Sequence, residues 1–162
     1  MTVEPTPREA IHAVLAEYCR GIDRRDRALV EQCYHPDATD DHGAGARDLA
    51  PFLDWCFGLL DGYDSTFHML GQSVIDFTDE HHASVETYGV ASHRTAGGPD
   101  HGNLVTGFRY LDRFEDRGAG WRIAARTAVT DWSRVDREGE WWAVPDTLLR
   151  GRSGPDDASY HR

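Results

Sequence analysis

Asn103-Leu104-Val105-Thr106-Gly107-Phe108-Arg109-Tyr110-Leu111-Asp112-Arg113-Phe114 and Trp121-Arg122-Ile123-Ala124-Ala125-Arg126-Thr127-Ala128-Val129-Thr130-Asp131-Trp132 are the two runs that decide the fold class. Both are rich in β-branched and aromatic residues, as long strands are, and the glycine-rich turn from Asp116 to Gly120 folds one back beside the other. Before them, His82 to His93 reads as another long strand, closed by the breaker Thr95 to Asp100 with Gly97-Gly98-Pro99. Ser65 to Phe77 reads as one strand or two, with Gly71 a bulge or bend, and Thr78-Asp79-Glu80 is the polar turn that follows.

Towards the N-terminus the period changes from two to that of a helix. Thr6 can cap, Pro7 suits the first helical position and Glu9 completes a capping box. Ile11, Val14, Leu15, Tyr18, Cys19 and Ile22 then recur on one stripe, with Asp23 on its flank. Asp26 can cap a short helix carrying Leu29, Val30, Cys33 and Tyr34, which stops at His35-Pro36. Ala38 to His42 reads as a short strand closed by Gly43-Ala44-Gly45, and Asp48 caps a third helix through Leu60 to Gly62. Helices first and consecutive hairpins after predict an α+β chain, with a curved antiparallel sheet covered by helices on one side.

Composition narrows the partners. The 162 residues suit one domain with one core. A formal charge of −11 argues against nucleic acid or an anionic membrane as the main partner, because phosphate recognition needs a basic surface. No apolar run approaches the roughly 20 residues of a membrane span, and the first residues lack the basic start and apolar stretch of a signal peptide. Cys19, Cys33 and Cys56 have no framework spacing, so a cytoplasmic protein with reduced, buried thiols is expected.

Few residues stand out as carriers of chemistry. His68 sits among Phe67, Met69 and Leu70, where it is either a core histidine satisfied by the backbone or a base. Asp23 either bonds nearby amides at a helix end or meets His68 in the space between helix and sheet. A carboxylate on one imidazole nitrogen fixes the tautomer and raises the basicity of the other. Arg126 shares a strand face with Ala124, Ala128 and Thr130, and needs either a ligand or an ion pair with Asp112 or Asp131. His93 shares a face with Thr87, Gly89 and Ala91, and Tyr18 lies on the buried helical stripe with a hydroxyl to satisfy. Asp40-Asp41-His42 and His81-His82 are the densest groups of metal-ligating types. Neither has the spacing of a zinc site, and phosphate-loop, dinucleotide and nucleophile-elbow motifs are absent from the sequence.

Tyr18-Cys19-Arg20-Gly21-Ile22-Asp23-Arg24-Arg25-Asp26, His35-Pro36-Asp37-Ala38, Phe67-His68-Met69-Leu70-Gly71 and Trp121-Arg122-Ile123-Ala124-Ala125-Arg126 occur in an order that resembles the SnoaL-like branch of the nuclear transport factor 2-like superfamily. Scytalone dehydratase, the bile-acid dehydratase and hexachlorocyclohexane dehydrochlorinase belong to that group. The resemblance implies a cone-shaped α+β barrel over residues 1–135, with N-terminal helices packed on a strongly curved, mainly antiparallel sheet. It leaves 136–162 as a polar extension, packed on the domain or at a subunit interface, with Trp141-Trp142 as its apolar anchor. It also implies a homotrimer or homodimer, no metal or organic cofactor, and a deep pocket for a small molecule. Asp23 and His68 fall where the lyases carry an Asp–His dyad, and Tyr18, His93 and Arg126 fall on pocket positions. His42 stands where the dehydratases place a tyrosine that polarises a substrate oxygen. The expectation is a cofactor-independent, dehydratase-like lyase for a cyclic or polyketide-like molecule. An isomerase or cyclase using the same base and a non-catalytic ligand-binding protein are the alternatives, because one cone serves many functions.

Overall fold

Thr6 and Glu9 close the first turn of helix α1 (Pro7–Arg24) on each other: the Glu9 carboxylate accepts from the Thr6 amide at 2.7 Å, and the Thr6 hydroxyl accepts from the Glu9 amide. The computed structural model describes residues 4–95, 102–137, 145 and 147–161. The α1 stripe is buried at Ile11, Leu15, Tyr18, Cys19 and Ile22. Arg25 ends the helix in the left-handed conformation. Asp26 then caps α2 (Arg27–Gln32) through the Leu29 amide.

Tyr34, expected on α2, instead opens strand β1 (Tyr34–Asp41). The Cys33 carbonyl accepts the Ile123 amide and starts a parallel ladder, while Pro36 disfavours a helical conformation at His35. Strand β2 (Arg47–Asp48) pairs with β1 and leads into α3 (Leu49–Leu60), where Asp48 holds the cap position without a side-chain bond. Strand β3 (Ser65–Phe77) is one continuous strand with a register shift between Leu70 and Ser73, around the expected irregularity at Gly71. Strands β4 (His82–Thr95), β5 (Gly102–Asp116) and β6 (Trp121–Arg137) follow as antiparallel hairpins, β4 and β6 running past His93 and Trp132. Gly97-Gly98-Pro99 and Trp141-Trp142 lie outside the described residues.

The six strands form one sheet in the order β2-β1-β6-β5-β4-β3, antiparallel except between β1 and β6. This is the expected α+β arrangement, three helices ahead of a mainly antiparallel sheet. Its core is built from the α1 stripe, Val30, Phe52 and Leu53 from the helices, and Tyr34, Phe114, Ile123 and their neighbours from the strands. Near the C-terminus, the Arg24 carbonyl accepts the Gly154 amide, Arg24 pairs with Asp157, and the Tyr160 hydroxyl donates to Asp26. No helix among the described residues is long and apolar enough to cross a membrane.

Candidate functional site

Alternation along β3 turns Phe67 and Met69 outward and His68 inward, towards the last full turn of α1. There Asp23 holds three donors. Its Oδ1 lies 2.7 Å from His68 Nδ1 and accepts from the Thr66 hydroxyl at 3.0 Å, and its Oδ2 accepts from the His68 amide at 2.9 Å. Helix and strand, 45 residues apart in sequence, are thus clamped through one carboxylate. Both side chains are 8% exposed. With Nδ1 facing a carboxylate, the proton sits on Nδ1 and Nε2 is the lone-pair nitrogen.

His68 lines a cavity of about 140 Å³ between the helices and the concave face of the sheet. Tyr18 and Ile22 of α1, and Trp55, Cys56, Leu59 and Leu60 of α3, form one side. Ala91, Thr106, Phe108, Tyr110, Ala128 and Thr130 form the sheet side, completed by His42 and His93. Asp23 stands behind the imidazole, where an open groove of about 830 Å³ runs between α1 and β3. The smaller, aromatic-walled cavity is the candidate site, because three imidazoles converge on it.

His93 meets His68 edge-on at 5.3 Å between ring centres and lies 5.0 Å from the Tyr63 ring. Its Nδ1 is buried without a hydrogen-bond partner among the described residues. Burial, and then the neighbouring His68, push its pKa down to about 4, so it is neutral near pH 7. Burial likewise holds the Tyr18 hydroxyl well above its ordinary range and raises all three thiols to about 12. Unreactive thiols follow.

Arg126, expected to line the pocket, lies beneath its floor instead. Both Arg126 and Asp112 side chains are 0% exposed, and Nε and Nη2 donate to the two carboxylate oxygens at 2.7 Å each. The guanidinium packs 3.8 Å from the Tyr110 ring centre and 4.3 Å from that of Tyr18, the two rings that line the cavity above it. Burial alone would disfavour this charge; Asp112 against it holds the guanidinium well above its ordinary value. Of the two expected partners, Asp131 belongs to Arg109 on the other face of the sheet.

Four contributors escaped the sequence reading. Thr66 binds the dyad carboxylate, and its two-residue offset from His68 was the available signal. Trp55, Phe108 and Tyr110 line the cavity, and the same alternation along β5 would have grouped the last two. The metal-type groups stay as small pairs: among the described residues no cluster of three or more His, Cys, Asp or Glu could hold an ion.

The SnoaL-like domain family matches residues 4–127. A type 2 hexachlorocyclohexane dehydrochlorinase has a similar structure, with a TM-score of 0.75, 14% identity and coverage of 87% of this chain and 95% of that one. A candidate scytalone dehydratase from Novosphingobium aromaticivorans gives 0.70, 17%, 84% and 95% for the same measures. The β subunit of a candidate aromatic-ring-hydroxylating dioxygenase from the same organism gives 0.61, 20%, 77% and 89%. At these identities the likeness is one of fold. No curated protein matches the sequence.

Proposed function

This chain belongs to the SnoaL-like domain family, and on that premise we propose that it is a lyase of the dehydratase kind, working with acid–base groups from its own side chains. His68 is the general base, oriented by Asp23, and removes a proton from the carbon next to a substrate carbonyl. The observation that carries this reading is the 2.7 Å contact of Asp23 Oδ1 with His68 Nδ1, which leaves Nε2 as the basic nitrogen of a cavity-lining ring. As Nε2 takes the proton, the Asp23 carboxylate stabilises the imidazolium that forms. The enzymes named among the structural relatives, a dehydrochlorinase and a candidate dehydratase, support the reaction class.

The cavity bounds the substrate. An apolar space of roughly 150 Å³ accepts benzene, so about 140 Å³ buries one six-membered ring. A larger polyketide-like molecule would place only its reacting ring inside. The mostly aromatic and aliphatic lining, with a few convergent polar groups, is that of a small-molecule site.

Small cyclic β-hydroxy ketones are the probes, with product mass read for loss of water. His68→Ala should lower turnover by about a hundred- to ten-thousand-fold while the circular dichroism stays that of the parent. Asp23→Asn should also lower it, and the double variant should be little worse than His68→Ala, since the two act as one unit. Unchanged turnover in His68→Ala refutes the base assignment. Product of unchanged mass makes the protein an isomerase or cyclase with the same base, and saturable binding without turnover makes it a binding protein.

We also propose that the protein assembles as a homo-oligomer through the outer face of the sheet. Phe67 and Met69 of β3, Tyr88 of β4 and Trp132 of β6 are all exposed there, and aromatic and Met side chains are enriched at interfaces.

A further inference from the structure

His42 lines the same cavity, and its carboxylate partner is more deeply buried than that of His68. Asp40, on β1, is 1% exposed. Its Oδ2 accepts from the Tyr34 hydroxyl at 2.7 Å, and its Oδ1 is in contact with Nδ1 of His42. A carboxylate taken this far from water needs hydrogen-bond donors and a compensating cation. The buried guanidinium of Arg126 gives Nε and Nη2 to Asp112, and its Nη1 makes no hydrogen bond to Asp40 although the two residues stand opposite each other in β1 and β6, which leaves His42 as the partner in contact. The His42 ring is fixed on its other sides: it stacks on Phe52 at 5.2 Å between ring centres and abuts Trp55 and Tyr110. With Nδ1 committed to Asp40, Nε2 is the nitrogen left for the cavity. β1 and β3 stand near opposite ends of the strand order, so the curved sheet delivers His42 and His68 to the cavity from two sides.

We infer that Asp40 and His42 form a second carboxylate–imidazole pair in which His42 is the acid that protonates the departing oxygen of the substrate. The inference rests on the lyase reading above and adds the half of the reaction that His68 does not perform. His42 begins with protons on both ring nitrogens and Asp40 as its counter-ion. His68 Nε2 takes the proton from the carbon next to the carbonyl, and the electrons of that C–H bond become the new C=C bond. The C–O bond at the neighbouring carbon breaks, and its oxygen takes the proton from His42 Nε2 and leaves as water. His68 ends with one proton more and His42 with one fewer, so transfer through solvent restores both. The other polar groups of the cavity are poor acids. His93 is neutral near pH 7, and the Tyr18 hydroxyl gives up its proton only far above its ordinary pKa. Asp40 acts through His42 and is a positioning residue.

The test uses the full chain with β-hydroxycyclohexanone in deuterated buffer. Cyclohexenone formation is read by absorbance, and exchange of the hydrogens next to the carbonyl by NMR. His42→Phe keeps the stacking on Phe52 but no ring nitrogen. His42→Asn is the second variant, because its amide can still donate to Asp40 and guards against loss of the fold. Both should cut enone formation by a hundredfold or more while exchange stays within about threefold of the parent, whereas His68→Ala should lose both readouts. Asp40→Asn should cut enone formation about tenfold without affecting exchange. Enone formation at the parental rate in His42→Asn, or equal loss of exchange and elimination, overturns the acid role. Nitrogen NMR of the histidine rings in the parent decides the pairing independently of turnover: protons on both Nδ1 and Nε2 of His42 are expected, and a ring protonated on only one nitrogen overturns the assignment. A parent that neither exchanges nor eliminates defeats the lyase reading itself, and the NMR result then still stands or falls alone.

Discussion

Replacing Arg126 with methionine tests how the floor of the cavity is held. The guanidinium and the Asp112 carboxylate meet in two hydrogen bonds of 2.7 Å, both side chains fully buried. Removing one partner of such a pair leaves an uncompensated charge and costs about 3–5 kcal/mol. The packing over Tyr110 and Tyr18 adds a cation–π contribution of about 1–2 kcal/mol, part of which methionine sulfur recovers against the same rings. Arg126→Met should therefore lose about 3–5 kcal/mol, a large share of the roughly 5–15 kcal/mol that holds a domain of this kind together. Arg126→Met with Asp112→Leu removes both charges and should return to within about 1–2 kcal/mol of the parent. Urea unfolding of the four proteins of the cycle measures this, provided m is unchanged. The pH dependence has a defined sign. Burial raises the Asp112 carboxyl above its ordinary range, and removing Arg126 removes the main opposition to that rise. A group whose folded pKa is raised favours folding in its protonated form, so the penalty of Arg126→Met should shrink as the pH falls from 8 towards 5. A single variant that loses less than about 1 kcal/mol, or a double variant as unstable as the single, refutes the buried-pair account.

Other expectations are simpler to state. His93 has its folded pKa pushed down to about 4 from 6.5, so its neutral form contributes stability that is present above about pH 6.5 and lost as the pH falls towards 4. The full difference corresponds to roughly 3 kcal/mol and partial exposure of the ring brings it nearer 2; His93→Gln should flatten the unfolding free energy over that window, and an unaltered slope refutes the assignment. A Cβ built on Gly89 would lie 2.4 Å from Cζ of Phe108, so Gly89→Ala should displace that ring, cost about 1–3 kcal/mol and narrow the cavity wall, seen as weaker binding of ring-sized ligands. Light scattering at micromolar concentration should report an oligomer that Phe67→Lys with Trp132→Lys dissociates, and a monomeric parent ends the interface proposal.

The fold was legible because local and non-local signals agreed. Thr6 and Glu9 carry a capping box in the sequence, with Pro7 at the first helical position, and the same two residues close the first turn of α1 in the structure. The β5–β6 hairpin could be read from two alternating runs and a glycine-rich turn, and the strands pair as Asp116↔Trp121 outward. The boundary at Tyr34 went astray because its aromatic ring continues the helical spacing of Leu29, Val30 and Cys33. What decides its state is a partner strand almost ninety residues later, the Tyr34↔Ile123 pairing.

The site was legible only where chemistry restricts the choice to one partner. Asp23 on the flank of the α1 stripe and His68 on a strand among apolar neighbours were readable as partners because a carboxylate and an imidazole satisfy each other between helix and sheet. Arg126 had two candidate carboxylates at equal chemical plausibility, and strand register decides between them: Asp112 stands directly opposite Arg126 across β5 and β6, while Asp131 pairs with Arg109. In the sequence Asp40 groups with Asp41 and His42 as metal-ligating types without the spacing of a zinc site, which gives Asp40 no inward partner. Alternation already argued otherwise, since Ala38 and Asp40 share one face of β1 and Ala38 is buried. The reading failed because an inward carboxylate is acceptable only with a donor, and its donor Tyr34 had been assigned to a helix, where its ring could not reach along the same strand. One misplaced boundary thus concealed a buried carboxylate, and with it the partner that holds the His42 imidazole.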